Sequence, residues 1–295
     1  MQIRRQNHSV RRWLELELSP GETAFWWLGQ AGFAFRSGGL NFVFDPYLSD
    51  ALAVKYAGKE FPHTRMMPPP ILPEELAELD FYFCTHRHGD HMDAGTLKEA
   101  LPRNPRCLVI APRAELAHAT GKAGIPEERL RLIDAGEKLV LTPELSVEAV
   151  ASCHEEIVYD ERGACHFLGY ILDLGGLRIY HSGDCIPYPG LAELLAGKNI
   201  DLALLPVNGR DEFRGSRGVP GNFTFDEALS LCREAGIPRL LGHHFGMFEF
   251  NDVDPLELAK REDAAVTTCF PRVDEVFRWR KSGLDHFPVG KSSRF

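Results

Sequence analysis

Short apolar runs, separated by glycine, proline and polar residues, recur along the chain, and this pattern predicts strands. The predicted strands cover residues 24–28, 81–84, 107–110, 145–151 and 202–206. Short helices are predicted between them, at residues 73–79, 94–101, 112–120 and 189–196. Strands mixed with helices in this way predict an α/β fold with helices on the outer faces of sheets.

Two further helix starts carry capping signals. Thr224 and Glu227 have the spacing of a capping box, so a helix is predicted to begin there and to end near Gly236. Asp254 is followed by Pro255, which is typical of an N-cap carboxylate before proline at the first helical position. Both helices belong to the second half of the chain.

An internal similarity relates two β-rich segments. Residues 32–40 and 169–177 both contain an apolar strand, a Gly-Gly pair and the start of a second strand, which is the pattern of a β-hairpin. The second strand leads to a carboxylate in each case, Asp45 in one and Asp184 in the other. Two similar β-rich halves predict two sheets packed face to face.

Composition narrows the class of protein. The chain has 295 residues, of which 44% are hydrophobic and 25% charged, as in ordinary globular enzymes. No linker divides it, so residues 1–295 are predicted to form a single domain. The formal net charge of −9 argues against a nucleic-acid-binding protein. No apolar run reaches the ~18 residues that a membrane span needs.

The cysteines and the start of the chain bear on localisation. The seven cysteines are scattered singly and form no C-x-x-C pair, which fits a reducing cytoplasm. The first 20 residues contain four arginines but no apolar segment, so no signal peptide is expected. We therefore predict a cytoplasmic protein without nucleic-acid or membrane partners.

The most informative segment, residues 85–91, follows the predicted strand at 81–84. His86, His88, Asp90 and His91 place three imidazoles and a carboxylate within six residues. These groups are the ligands that Zn²⁺, Mn²⁺ and Fe²⁺ prefer. A strand that delivers them to a sheet edge leaves a metal site open to substrate, and we favour this over a histidine-rich surface turn.

Other residues of the same type lie at the ends of later predicted strands. His154 follows one strand, Asp184 ends the second hairpin, and His243 and His244 follow the segment 239–242. Each of them alone is a weak signal, because a single histidine or aspartate after a strand is usually a turn residue. Together they predict one site, since several strand ends can converge on one edge of a sandwich.

In this order the residues resemble the metallo-β-lactamase superfamily: Thr-His-x-His-x-Asp-His, a later histidine, a Gly-Asp pair and a last histidine. The closest resemblance is to the L-ascorbate-6-phosphate lactonase-like branch, supported by residues 25–29 and 180–184. The resemblance implies a four-layer αββα sandwich, with two mixed sheets flanked by helices, and a metal-dependent hydrolase. It also implies one or two divalent ions, Zn²⁺ or Mn²⁺ with Fe²⁺ as a third choice, and is compatible with a homo-oligomer.

The resemblance also implies a ligand set. The ligands of the first ion would be His86, His88 and His154. The ligands of the second would be Asp90, His91 and His244, with Asp184 bridging the two ions. His243 is the alternative for the last ligand, because the histidine doublet leaves the register open by one residue. Since His154 completes the set, two ions are favoured over one.

Such a centre would act by hydrolysis. A water held by divalent ions loses a proton near neutral pH, so a metal-bound hydroxide is the expected nucleophile. Asp90 would be the catalytic carboxylate, because it faces both the second ion and this hydroxide and can carry a proton. The ligands predict the type of reaction but not the substrate.

A basic loop suggests the class of substrate. Its candidate substrate-binding residues are Asn208, Arg210, Arg214 and Asn222, together with His243 if that residue is not a ligand. Guanidinium groups bind phosphate and carboxylate, so a small anionic substrate is predicted, with a phosphorylated sugar lactone as the leading example. A solvated loop paired with Asp211 and Glu212 is the alternative. Two other functions stay open: a phosphodiesterase of the same fold and a non-catalytic metal-binding module.

Overall fold

The computed structural model describes residues 2–280, and two β-sheets dominate this part of the chain. In spatial order, the first sheet contains β1 (Gln2–Asn7), β15 (Glu275–Arg280), β2 (Glu22–Gly29), β3 (Gly32–Ser37), β4 (Leu40–Phe44), β5 (Phe81–Phe83), β6 (Leu108–Pro112) and β7 (Leu130–Ile133). The second contains β14 (Thr267–Cys269), β13 (Arg239–His243), β12 (Leu202–Pro206), β11 (Arg178–His181), β10 (Leu168–Asp173), β9 (Leu145–Ala151) and β8 (Lys138–Thr142).

The helices are short and connect these strands. The α-helices of residues 2–280 are α1 (Ala51–Lys55), α2 (Ala94–Arg103), α3 (Leu116–Gly121), α4 (Leu191–Leu195), α5 (Glu212–Gly215), α6 (Phe225–Glu234) and α7 (Pro255–Leu258). Single 3₁₀ turns lie at Pro73–Glu75, Arg113–Glu115, Glu127–Arg129 and Glu249–Asn251, and a longer 3₁₀ segment, kinked at Arg12, spans Val10–Glu15. No helix within the described residues is long and apolar enough to cross a membrane.

The two predicted hairpins are present, one in each sheet. β3 pairs with β4 and β10 pairs with β11, both antiparallel. Gly38 and Gly39 turn the first hairpin with φ of 59° and 81°, values that glycine adopts at little cost. Each hairpin then continues into parallel strands, β4–β5–β6 in the first sheet and β11–β12–β13 in the second. The internal similarity therefore reflects two sheets with related topology.

Side chains that alternate along each strand form two buried layers. Phe81 and Phe83 of β5 point into the core between the sheets, whereas Tyr82 points outward to a second core under α2. Between the sheets, the ring of Phe44 lies 4.3 Å from Phe83 and 6.0 Å from Tyr170 on the opposite sheet. On the far side, α4 and α6 cover the second sheet. The layer order is thus helix, sheet, sheet, helix.

Most predicted elements are observed, and two differ. The helices at α6 and α7 begin at the predicted caps, with Thr224 and Glu227 forming the capping box. The helix predicted at residues 73–79 is only the 3₁₀ turn Pro73–Glu75, because Glu78 has a φ of 58° that a helix cannot include. The helix predicted at residues 112–120 begins later, since β6 continues to Pro112 and a 3₁₀ turn intervenes.

Candidate metal centre

The candidate site lies where the carboxyl ends of five strands meet. β4 and β5 are parallel neighbours in the first sheet, and β11, β12 and β13 are parallel in the second. Because parallel strands end at the same sheet edge, the residues that follow them are brought together. β9 runs in the same direction as β11, since both are antiparallel to β10, so His154 reaches this edge too.

The structure brings the seven predicted ligands together. One ligand atom per residue lies within 4.8 Å of the others in each of three groups. The groups are His86, His88 and His154; Asp90, His91 and His244; and His86, His91 and Asp184. We call the first group the histidine half and the second group the mixed half.

Asp184 lies between the two halves. Its Oδ1 atom is 3.3 Å from Nε2 of both His91 and His244, in the mixed half. Its Oδ2 atom is 3.7 Å from Nε2 of His154, in the histidine half. A single carboxylate therefore presents one oxygen to each half, which is the geometry of a bridging ligand.

Of the histidine doublet, His244 reaches the cluster and His243 does not. His244 has a φ of 66°, which turns the chain at the end of β13 and directs Nε2 toward Asp184. The ring of His243 is buried on the other side, stacked 5.2 Å from His181 and edge-on to Phe33. The register that the sequence left open is thus resolved geometrically in favour of His244.

Asp45 orients His91, a role that the sequence did not predict. Its Oδ2 atom is 2.7 Å from Nδ1 of His91, and Thr85 donates to both carboxylate oxygens through its backbone N–H and its hydroxyl. A histidine that donates Nδ1–H to a carboxylate leaves Nε2 free as a metal ligand. Asp45 follows the first hairpin just as Asp184 follows the second. The internal similarity was therefore the sequence signal for a role of Asp45 in the site.

Gln30 is a second residue that sequence reasoning missed. It follows Gly29 in the β2–β3 turn with a φ of 50°, and its side chain is directed into the mixed half. The amide nitrogen donates to Oδ2 of Asp90 at 2.9 Å and lies 3.0 Å from Nε2 of His244. Within the sequence, its only signal is a polar residue inside a long apolar segment.

Electrostatics separate the two halves. Burial lowers the pKa of His86, His88 and His154, to about 4 for His154, so these imidazoles are neutral at pH 7. Burial also acts to lower the pKa of His91, but nearby carboxylates reverse this and raise it well above its usual value. They belong to Asp184, Asp45 and Asp90.

The donor set fits divalent metal ions. Among the described residues, the buried atoms without a hydrogen-bond partner include Nε2 of His86, Nε2 of His91 and Oδ1 of Asp184. Leaving such atoms unpaired is costly in a protein interior, and ions bound in the two halves would satisfy them. Imidazole nitrogens with carboxylate oxygens suit Zn²⁺, Mn²⁺ and Fe²⁺. The residues therefore fit one ion in each half.

The centre forms the floor of a cleft of about 1010 Å³. One wall is aromatic: the ring of His63 lies 4.1 Å from Tyr56 and 4.9 Å from Phe248. The cations that line the cleft are Lys55, Lys59, Arg87, Lys122 and Arg217. The carboxylates are those of Glu60, Glu155 and Glu156, besides Asp90 and Asp184.

The two arginines predicted to bind substrate, Arg210 and Arg214, lie outside the cleft, whereas Arg217, farther along the same basic loop, lines it; this corrects the expected position of the anion site. Arg210 donates two hydrogen bonds of 2.6 Å to Glu227, and Arg214 is paired with Asp211. Asn208 and Asn222 are buried and hydrogen-bond to each other. These four residues and His243 are not among the residues that line the cleft in the described part of the chain. Arg210, Arg214 and Asn208 are paired within the protein, whereas Oδ1 of Asn222 and both ring nitrogens of His243 are buried without a hydrogen-bond partner. The cleft's own cations are therefore the groups that face a substrate.

Comparisons with known proteins agree with this geometry. Residues 40–245 match the family described as Beta-lactamase superfamily domain. A UPF0173 metal-dependent hydrolase of Archaeoglobus fulgidus is 25% identical over 239 residues, covering 79% of this chain and 88% of that protein. The N-acyl-phosphatidylethanolamine-hydrolyzing phospholipase D 1 of Caenorhabditis elegans is 37% identical over 87 residues, covering 29% of this chain and 23% of that protein.

Solved structures share the fold. Igni18, a metallo hydrolase from Ignicoccus hospitalis, superposes with a TM-score of 0.65 at 17% identity, covering 88% of this chain and all of that one. The predicted fold class, an αββα sandwich of the metallo-β-lactamase type, is therefore confirmed.

Proposed function

The chain belongs to the beta-lactamase superfamily, and we propose that it is a metal-dependent hydrolase of a small anionic substrate. The observation that carries the proposal is the position of Asp184, with one oxygen 3.3 Å from His91 and His244 and the other 3.7 Å from His154. This arrangement suits a pair of ions held at the floor of a cleft. The name of the Archaeoglobus relative, a metal-dependent hydrolase, supports the same reaction type.

The chemistry follows from the residues around the centre. Divalent ions bound there would supply Lewis acidity, which can lower the pKa of water to about 7 and polarise a carbonyl or phosphoryl oxygen. Asp90 would accept a proton from the attacking water, because its carboxylate is partly exposed to the cleft while Gln30 holds its Oδ2 atom at 2.9 Å. His91 keeps its orientation throughout, since its Nδ1 is tied to Asp45.

The proposed substrate is a phosphorylated sugar lactone. Ester opening requires a polarised carbonyl, which the centre would supply, and the anionic group would be bound by the cations of the cleft. A phosphodiesterase is the second candidate, and the match to the Caenorhabditis phospholipase favours it because that relative has the higher identity over its matched segment. The same centre can serve either reaction, so substrate preference decides between them.

A paired rate assay tests the proposal. Protein reconstituted with Zn²⁺ or Mn²⁺ would be given 6-phosphogluconolactone and, separately, bis(p-nitrophenyl) phosphate. Asp90→Ala is the inactive comparison, and Glu99→Ala, a half-exposed carboxylate on α2 that does not line the cleft, is the matched control. Faster lactone opening that Asp90→Ala abolishes supports the lactonase, and faster diester cleavage supports the phosphodiesterase. Rates equal to those of Asp90→Ala on both substrates would exclude the hydrolase proposal for these classes.

A further inference from the structure

Three cations reach the cleft from three separate elements. Lys55 ends α1, Arg87 lies in the metal-binding loop between His86 and His88, and Lys122 follows α3. We call Lys55, Arg87 and Lys122 the cationic rim. In the described part of the chain, neither Lys55 nor Lys122 forms an ion pair with a carboxylate. The Lys55 ammonium group lies 4.9 Å from the centre of the Tyr56 ring, a contact that leaves its charge unneutralised.

Arg87 is held at the rim by a buried carboxylate. The side chain of Glu115 is 2% exposed; its Oε1 atom is 2.6 Å from Nδ1 of His166 and 3.9 Å from Nε of Arg87. The Arg87 side chain nevertheless remains 50% exposed. Because the Arg87–Glu115 distance of 3.9 Å is longer than a hydrogen bond, the guanidinium N–H groups are left for a bidentate contact with an anion. Glu115 thus acts as a positioning residue for Arg87.

The three cations line the cleft together with His118. Burial lowers the pKa of His118, and Glu115 opposes that effect. The positive charges that lower this pKa further are those of Lys122, Arg87 and Lys55. Burial also lowers the pKa of His63 on the aromatic wall, and the Lys55 charge acts in the same direction. The cationic rim therefore presents three positive charges to one cleft.

The other charges of the cleft do not cancel those of the cationic rim. Arg217 is paired with Glu60 at 2.9 Å, so these two charges offset each other. Glu155 and Glu156 directly follow His154, on a different segment of the chain from α1 and α3. Asp90 and Asp184 lie at the floor, where bound ions would neutralise them. The positive charge is therefore concentrated on the side formed by α1 and α3.

We propose that Lys55, Arg87 and Lys122 form a subsite for a phosphate group of the substrate. This phosphate lies at a distance from the bond that is hydrolysed. The proposal rests on the proposed function, which supplies the hydrolytic reaction. It adds that the substrate is recognised by residues that are not metal ligands. Three cations, one of them a guanidinium, suit a phosphate dianion with three equivalent oxygens better than a monovalent carboxylate. The substrate class is accordingly a phosphate monoester that also contains an ester, lactone or thioester bond.

Equilibrium binding tests the subsite without requiring turnover. The metal-loaded chain would be titrated by calorimetry with 6-phosphogluconate, with gluconate as the unphosphorylated match and glucarate as the dicarboxylate. We expect 6-phosphogluconate to bind at least tenfold more tightly than either acid, since two or three charge-assisted contacts are added. In the double variant Lys55→Ala/Lys122→Ala this preference should fall by roughly tenfold, whereas Lys98→Ala, an exposed lysine of α2, should keep it.

The outcomes separate the two proposals. A double variant that keeps the full preference for 6-phosphogluconate would overturn the subsite. Glucarate binding as tightly as 6-phosphogluconate would overturn the phosphate assignment, because the rim would then accept any second anion. A phosphate preference that the double variant loses, in a protein that hydrolyses neither lactones nor phosphodiesters, would support the subsite and overturn the proposed function. Loss of the preference together with a raised KM for the phosphorylated lactone supports both.

Discussion

The two halves of the candidate metal centre are built by different means. In the mixed half, directed hydrogen bonds hold the ligands: Asp45 holds His91, and Gln30 holds Asp90. In the histidine half, the Thr85 hydroxyl lies 3.0 Å from Nδ1 of His86, and all three rings pack on Phe167. The ring of Phe167 lies 5.0 Å from His86, 5.6 Å from His88 and 5.4 Å from His154. The two halves share Asp184. Changing Asp184 should therefore affect metal binding in both halves, whereas changing Asp45 or Gln30 should affect the mixed half.

The different construction has an electrostatic consequence. Burial beside an aromatic ring keeps the three imidazoles of the histidine half neutral and ready to bind a cation. In the mixed half, burial acts to raise the pKa of the Asp184 carboxyl, but the imidazoles of His244 and His91 hold it well below its usual range. The same attraction raises the pKa of His91. The mixed half must therefore release a proton to take up an ion, whereas the histidine half need not.

Removal of the shared carboxylate is expected to have the largest effect. Asp184→Ala deletes the oxygen that faces each half, so both ions should be lost and hydrolysis should fall by roughly 100-fold or more. Metal content per chain, measured by mass spectrometry after gel filtration, checks this. Asn208→Ala, a buried polar residue outside the cleft, is the control and should retain its metal. Equal metal retention in the two variants would rule out a bridging role for Asp184.

Asp45→Asn should separate the halves. The amide cannot accept the His91 Nδ1 proton with the strength of a carboxylate, so the orientation and basicity of His91 are weakened. We expect a loss of about 10- to 100-fold in affinity for the ion of the mixed half, with the histidine half unchanged. Stepwise titration with Co²⁺, followed by its visible absorption, reports the two sites separately. A uniform loss from both sites would mean that Asp45 supports the fold rather than His91.

Residues close together in sequence were predictable, and residues that depend on strand pairing were not. The cluster at 86–91 was evident because four ligand-type residues follow one strand, and the two hairpins because a Gly-Gly turn is a local signal. Asp45 is 46 residues from His91 and Gln30 is 60 residues from Asp90, so only the sheet order brings each pair together. Arg210 was predicted to lie beside the metals and bind substrate. Its partner, Glu227, belongs to α6, and the sequence does not show that these two charges pair.

Acidification provides a graded test of the same difference. His154 has a pKa of about 4, so above roughly pH 5 it is already neutral and protons compete little with a metal ion in the histidine half. His91 has a raised pKa, so protons compete with an ion in the mixed half at much higher pH. As pH falls, the mixed half should release its ion first. Dialysis at stepped pH, with metal analysis at each step, should show two separate losses. A single loss of both ions at one pH would contradict the distinction.

The smallest expected effect is that of Gln30, and its sign is informative. Gln30→Ala removes one hydrogen bond to Asp90, worth about 0.5–1.5 kcal/mol, so the ion of the mixed half should bind roughly 2- to 10-fold more weakly. Gln30→Glu instead places a carboxylate near Asp90 and His244, which should strengthen retention of a divalent cation at this half while destabilising the metal-free protein. Gln6→Ala, an exposed glutamine of β1, controls for the loss of a glutamine side chain.

Opposite shifts in the two Gln30 variants would show that this side chain acts on the ion directly. A residue that only supported the β2–β3 turn would weaken binding in both, since each replacement disturbs the same packing. The backbone contacts of Gln30 remain available in both variants, because its carbonyl accepts from the Trp27 indole and from the His244 N–H. A Co²⁺ titration of the mixed half alone therefore distinguishes electrostatic tuning of the metal centre from local packing.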